Sequence, residues 1–166
     1  MAYSVTHIIL TIVVLDLLRH YVFGKKKFPR YLLVVGGIAG LAPDIDIPFG
    51  WIYNLFTGAS ANFHGGLSHS IVFPIIIALV GLFLHFYKDN QKWAKIMYVI
   101  AFGLFFHSVL DCMFGGYKSF MWPFFVNNLA FCPQWGIGDY MQSIDAIILV
   151  VWLIHEEIHK KVRDYI

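Results

Sequence analysis

Apolar residues fall into five runs along the chain, at about 3–23, 31–42, 68–87, 93–114 and 144–155. A run of roughly 20 apolar residues with few charges is long enough to cross a hydrocarbon core of about 30 Å as a helix. The pattern therefore predicts membrane helices. The second run is too short to span alone and ends at Pro43, because a proline disfavours helical geometry in the residue before it. It contains Gly36, Gly37 and Gly40. It either extends back through Phe28 or is a half-helix buried among its neighbours. The fifth run is expected to continue as a polar helix through 156–163.

Two long irregular stretches, 45–67 and 115–143, separate these runs and are rich in Gly, Phe, Trp, Tyr and Asn. Such aromatics suit the headgroup level of a bilayer, and loops of this length are more often functional than merely connective. The expected fold is an all-α integral membrane bundle of about five apolar segments with two long extracytoplasmic loops. The whole chain, 1–166, reads as one domain.

Composition strengthens this picture. Hydrophobic residues make up 59% and charged residues 13%, against about 25% charged in an ordinary soluble domain. The net charge of +2 and the lack of a basic arm argue against nucleic acid as a partner. The first run lacks the basic start and small-residue cleavage site of a signal peptide, and it reads as a retained helix. Cys112 and Cys132 are the two cysteines, too few for a disulfide framework or a Cys-rich zinc motif.

Charge also orients the bundle. If the helices alternate, one side holds every Lys and Arg of the 12 except Lys118. The positive-inside rule puts that side, with the C-terminus, in the cytoplasm of a multi-pass inner or plasma membrane protein. Cys112 and Cys132 then both lie outside, where a disulfide can form.

The acidic and imidazole groups follow the opposite distribution. His7 begins the first run, and Asp44 and Asp46 follow the second. His64 and His69 precede the third, His107 and Asp111 end the fourth, and Asp145 opens the fifth. All eight come to the outer end of the bundle. Singly, each has an ordinary reading: an interfacial histidine, a turn aspartate, a helix-capping acid. His107 and Asp111, at i and i+4 on one helix face, are harder to dismiss, since ionisable groups at membrane depth are costly. Four imidazoles and four carboxylates without matching basic residues point to a divalent cation. The ligand types suit Zn, Mn or Fe, and their number allows one or two ions. By contrast, Asp16, Arg19 and His20 read as a local salt-bridge cluster near the inner end. His155, Glu156, Glu157 and His159 read as the solvated face of a cytoplasmic helix. Trp122-Pro123-Phe124 reads as an aromatic anchor or pocket wall.

Five motifs stand in order: Thr6-His7, Pro43-Asp44-x-Asp46, His64-x-Gly66-x-Ser68-His69-Ser70, His107-x-x-Leu110-Asp111 and Trp122-Pro123-Phe124. Together they resemble the membrane-bound metal-dependent hydrolases, a family that includes the LexA-regulated, YdjM-like inner-membrane proteins. The resemblance covers about residues 1–150. That family is in turn distantly similar to helical zinc-dependent phospholipases C. The resemblance implies His7, Asp44, Asp46, His64, His69, His107 and Asp111 as ligands, with Asp145 a weaker match. Two positions depart from the family pattern. Ile47 stands where a His is common, and Gly65 where an Arg suited to binding phosphate is usual.

The resulting expectation is a membrane-embedded, metal-dependent hydrolase at the extracytoplasmic surface, with one or two ions, zinc first and Mn or Fe next. Asp44 or Asp46 would bridge ions or accept a proton from water. Membrane lipid is the expected partner, and a lipid or lipid-linked ester, a phosphoester first, the expected substrate. The alternatives are a metal-ion or proton transport protein and a non-catalytic scaffold stabilised by metal.

Overall fold

The computed structural model describes residues 4–114, 121–124 and 140–158. Helix α1 covers Ser4–Leu18 and is prolonged by a π-helical turn, Arg19–Phe23. Helix α2 covers Tyr31–Leu41, and a 3-10 turn, Ala42–Ile45, joins it to α3, Asp46–Thr57. A second 3-10 turn, Leu67–His69, leads into α4, Val72–Phe86. Helices α5, Gln91–Phe114, and α6, Met141–Ile158, complete the set. No strand occurs among the described residues. The all-α membrane bundle expected from the apolar runs is the fold observed. Ser4–Phe23, Tyr31–Thr57 and Gln91–Phe114 are each long and apolar enough to cross a membrane, and Val72–Phe86 is apolar but shorter.

One expectation needs correction. The stretch 45–67 was expected to be irregular, yet its first half is α3. Pro43 falls at the start of the 3-10 turn, and Pro48 is the third residue of α3. The first backbone N–H groups of a helix have no intrahelical acceptor, so a proline there removes nothing. Helix α3 stops at Gly58, which adopts a left-handed conformation (φ 66°) and donates its N–H to the Asn54 carbonyl at 2.9 Å. The second stretch, 115–143, lies largely outside the described residues, as do Lys118 and the tail beyond 158.

Helix α2 packs between α1 and α5, α4 packs on α5, and α6 on α1. Small residues set the spacing. A Cβ on Gly103 of α5 would stand 2.8 Å from the Ala39 Cβ and 2.9 Å from the Gly36 carbonyl oxygen of α2. A Cβ on Gly40 would meet Thr11 Oγ1 at 2.6 Å and the His7 carbonyl oxygen at 2.9 Å. Lipid offers apolar groups as good a home as a helix interface does, so membrane helices associate through such close backbone approach and buried polar contacts. The interior has two parts as a result. Toward the basic end lies an apolar cluster of Leu15, Phe28, Leu32, Leu33 and Val99. Toward the other end most buried side chains are polar and form the candidate site, while the basic end keeps buried Asp16, Arg19 and Glu156 beside its apolar cluster.

Candidate metal centre

His107 shows how the close packing at Gly40 becomes chemistry. Its Nδ1 lies 2.7 Å from the Gly40 carbonyl oxygen, which can only accept, so Nδ1 carries the proton. In a neutral ring Nε2 then presents a bare lone pair. Nε2 is buried and has no hydrogen-bond partner. What it faces are two carboxylate oxygens, Asp111 Oδ2 at 3.4 Å and Asp44 Oδ1 at 3.6 Å.

The same oxygens face a second imidazole. His69 Nε2 lies 3.7 Å from Asp44 Oδ1 and 3.6 Å from Asp111 Oδ2. These separations exceed hydrogen-bond length. They match the spacing of donor atoms around one ion: with bonds of about 2.0–2.1 Å, tetrahedral ligands stand about 3.4 Å apart. Four chain segments meet here. Asp44 comes from the 3-10 turn after α2, His69 from the 3-10 turn before α4, and His107 and Asp111 from successive turns of α5. His7, from the first turns of α1, stacks on His107 with ring centroids 3.8 Å apart, and its Nε2 lies 3.4 Å from Asp111 Oδ1. His7, Asp44 and His107 bring one ligand atom each within 4.8 Å of one another, as do His69, His107 and Asp111, and Asp44, His64 and His69.

Asp46 is placed differently. Its Oδ1 pairs with His64 Nδ1 at 3.0 Å. Its Oδ2 accepts from the Gly65 N–H at 3.3 Å and from Ser68 Oγ at 3.0 Å, and it lies 3.2 Å from His69 Nδ1. Both oxygens are thus engaged behind His69, whose opposite nitrogen faces Asp44 and Asp111. A carboxylate behind an imidazole fixes both the orientation of the ring and the nitrogen that carries the proton. Asp145 is buried too, but its Oδ2 accepts from Thr6 Oγ1 at 2.7 Å, beside His7. Among the described residues, neither Asp46 nor Asp145 falls in such a group of three ligand atoms.

Ser68 and Ser70 stand in the third motif but were given no role there, and Ser108 was missed, although these hydroxyls help assemble the site. Ser108 Oγ donates to the His69 carbonyl at 3.0 Å, tying the loop before α4 to α5. Ser70 Oγ donates to the Trp122 carbonyl at 2.5 Å, so the Trp122-Pro123-Phe124 segment is anchored by its backbone. The available signal was sequence adjacency: Ser68 and Ser70 flank His69, and Ser108 follows His107. Cys112, one residue past Asp111, is buried and disulfide-bonded. Cys132 lies outside the described residues.

The opposite end also departs from expectation. Asp16, Arg19 and His20 do cluster, with Asp16 Oδ1 3.4 Å from Arg19 and 3.2 Å from His20. However, His155 and Glu156 are not on a solvated face. Glu156 is buried, and His155 sits against His20 and 3.3 Å from the Tyr21 hydroxyl. Trp152 Nε1 donates to Asp16 Oδ2 at 3.2 Å. The reason is that α6 packs on the polar side of α1, and Arg19 and Arg30 lie within electrostatic reach of Glu156. Asp16, His155 and Glu156 form a further group able to hold an ion. Nothing is described of the Glu157 side chain or of His159.

The family model described as YdjM inner membrane protein matches residues 1–161. No curated protein and no solved structure matches. The chain belongs to the YdjM inner membrane protein family, and with three helices fit to span it is a multi-pass inner membrane protein.

Proposed function

We propose that this YdjM-family protein is a metal-dependent hydrolase acting on a lipid or lipid-linked ester at the extracytoplasmic membrane surface. One observation carries the reading. Nε2 of His69 and of His107 each stand 3.4–3.7 Å from Asp44 Oδ1 and Asp111 Oδ2, and among the described residues the ion-pair partners of these carboxylates are histidines. A divalent ion satisfies lone pairs and carboxylates at once, and when bound it supplies Lewis acidity and an acidified water at neutral pH.

In this reading Asp44, His69, His107 and Asp111 hold the ion, with His7 completing the set or serving a second ion. Asp46 orients His69. The Asp44, Asp46 and His64 side chains reach the surface, while His7, His69 and His107 are closed off. That one-sided opening suits a catalytic site, which keeps a coordination position free. Asp46 and His64 also line a cavity of about 210 Å³, together with Gly50, Trp51, Asn54 and Phe63. In this reading Asp44 would take a proton from water, and His64 would return one to the leaving oxygen. The exposed apolar residues of α3, including Trp51, Leu55 and Phe56, would seat this mouth among lipid headgroups.

The runner-up is metal-ion or proton transport. It is favoured by the buried side of α1, where Thr6, His7, Thr11 and Asp16 lead from one polar end toward the other. One experiment separates the two. Metal-loaded and chelated protein would be offered a panel of phospholipids and lipid-linked phosphates, with products followed by mass spectrometry. Metal-dependent product release supports the hydrolase. No turnover of any ester, together with metal flux into proteoliposomes that depends on His107, would replace it with the transporter.

A further inference from the structure

A second cavity lies at the other end of the molecule. About 570 Å³ in volume, it opens between α1, the connection from α1 to α2, and the start of α5. Leu15, Phe28, Val99 and Phe102 wall it, Lys27 and Lys95 line it, and no acidic residue does. A second apolar cavity of about 340 Å³ shares Tyr98 and Phe102 and reaches Phe105. Along α5, Lys95 to Phe105 covers about 15 Å at the helical rise per residue. That is half of a hydrocarbon core of about 30 Å, the depth of one leaflet.

We propose that this trough is a binding site for one anionic phospholipid of the leaflet at the basic end. Its phosphate would sit between Lys27 and Lys95, and an acyl chain would lie along Val99, Phe102 and Phe105. Charge complementarity selects the occupant. A zwitterionic lipid fills the apolar trough equally well but gains less from two ammonium groups at its mouth, and basic pockets between membrane helices favour anionic headgroups. The positive-inside rule makes this the cytoplasmic leaflet. Lys95 lies twelve residues before His107 on α5, about 18 Å away along the axis, so a headgroup held there is out of reach of the His/Asp centre. The lipid is therefore a resident of the fold and not the substrate, and the proposal stands or falls separately from the hydrolase reading.

The test uses the full chain purified in non-ionic detergent and native mass spectrometry with added phosphatidylglycerol or phosphatidylcholine. Lys27→Ala with Lys95→Ala is compared with Lys25→Ala with Lys88→Ala, which removes the same charge from exposed positions at the same end. The expected result is preferential retention of one phosphatidylglycerol, weakened roughly fivefold per lysine in the first variant. It should be nearly unchanged in the second, with metal content equal in both. Equal retention of the two lipids, equal loss in both variants, or a second copy of the chain cross-linked through Lys27 in place of lipid would each overturn the proposal.

Discussion

A neutral imidazole has one proton to give, and His107 gives it to the Gly40 carbonyl. Everything its other nitrogen meets is an acceptor, and only a cation or a second proton relieves that. Two aspartates two residues apart play unlike parts around it. Asp44 shares its Oδ1 between His69 and His107, whereas Asp46 is used up behind His69. Asp44→Asn should therefore lose most of the bound metal. Asp46→Asn should keep the ion but bind it about 10–100-fold more weakly, the usual cost of disturbing a partner behind a ligand. Metal titration of the two purified variants reads this, and the reverse order would reassign the residues. Much of this site was legible in the sequence. His107 and Asp111 stand one turn apart in an apolar helix, where ionisable groups need a reason. The division between Asp44 and Asp46 was not legible, because it depends on the 3-10 turn that aims one inward and the other at His64.

At the scale of elements, run length revealed α1, α4 and α5, since burial in lipid demands long apolar helices. Helix α3 was hidden because Pro43 reads as the end of the second run until its place in a 3-10 turn is known; Pro48 likewise falls in the first turn of α3. The inner end of α6 was misread because its polar residues imply water only if α1 is apolar there, and α1 carries Asp16 and Arg19 on its buried side. The element contact that sets the site is the approach of α2 to α5 at Gly103. Gly103→Val has no room against Ala39 and the α2 backbone. Overpacking of this kind costs about 1–3 kcal/mol. Because the shift moves Gly40 from His107, metal retention should fall along with thermal stability in detergent. Gly58→Ala, whose Cβ meets open space, should cost only the strain of a positive φ and leave metal retention intact. Full metal retention in Gly103→Val would mean that this packing does not hold the site.

For the whole molecule, the His/Asp cluster and the described lysines occupy opposite ends of the bundle. Lys92 and Lys95 stand near the start of α5, and His107 and Asp111 near its end. Lysine asymmetry then predicts that the cluster faces the extracytoplasmic side. With Cys112 and Cys132 replaced, a cysteine at Asn62 should react with an impermeant thiol reagent on intact spheroplasts, and one at Lys26 should not. Asn62 and Lys26 are both exposed, so accessibility within the fold does not confound the comparison. The opposite labelling pattern would turn the bundle over and put the site in the cytoplasm.

Elemental analysis of the purified protein tests most directly whether the His/Asp cluster binds a divalent metal. Wild-type protein prepared without chelator should carry one or two ions per chain, zinc foremost, and both His107→Ala and Asp111→Ala should lose most of them while still inserting in the membrane. A folded wild-type protein that holds no transition metal and takes up none from zinc, manganese or iron solutions would contradict the account, as would full occupancy in both variants.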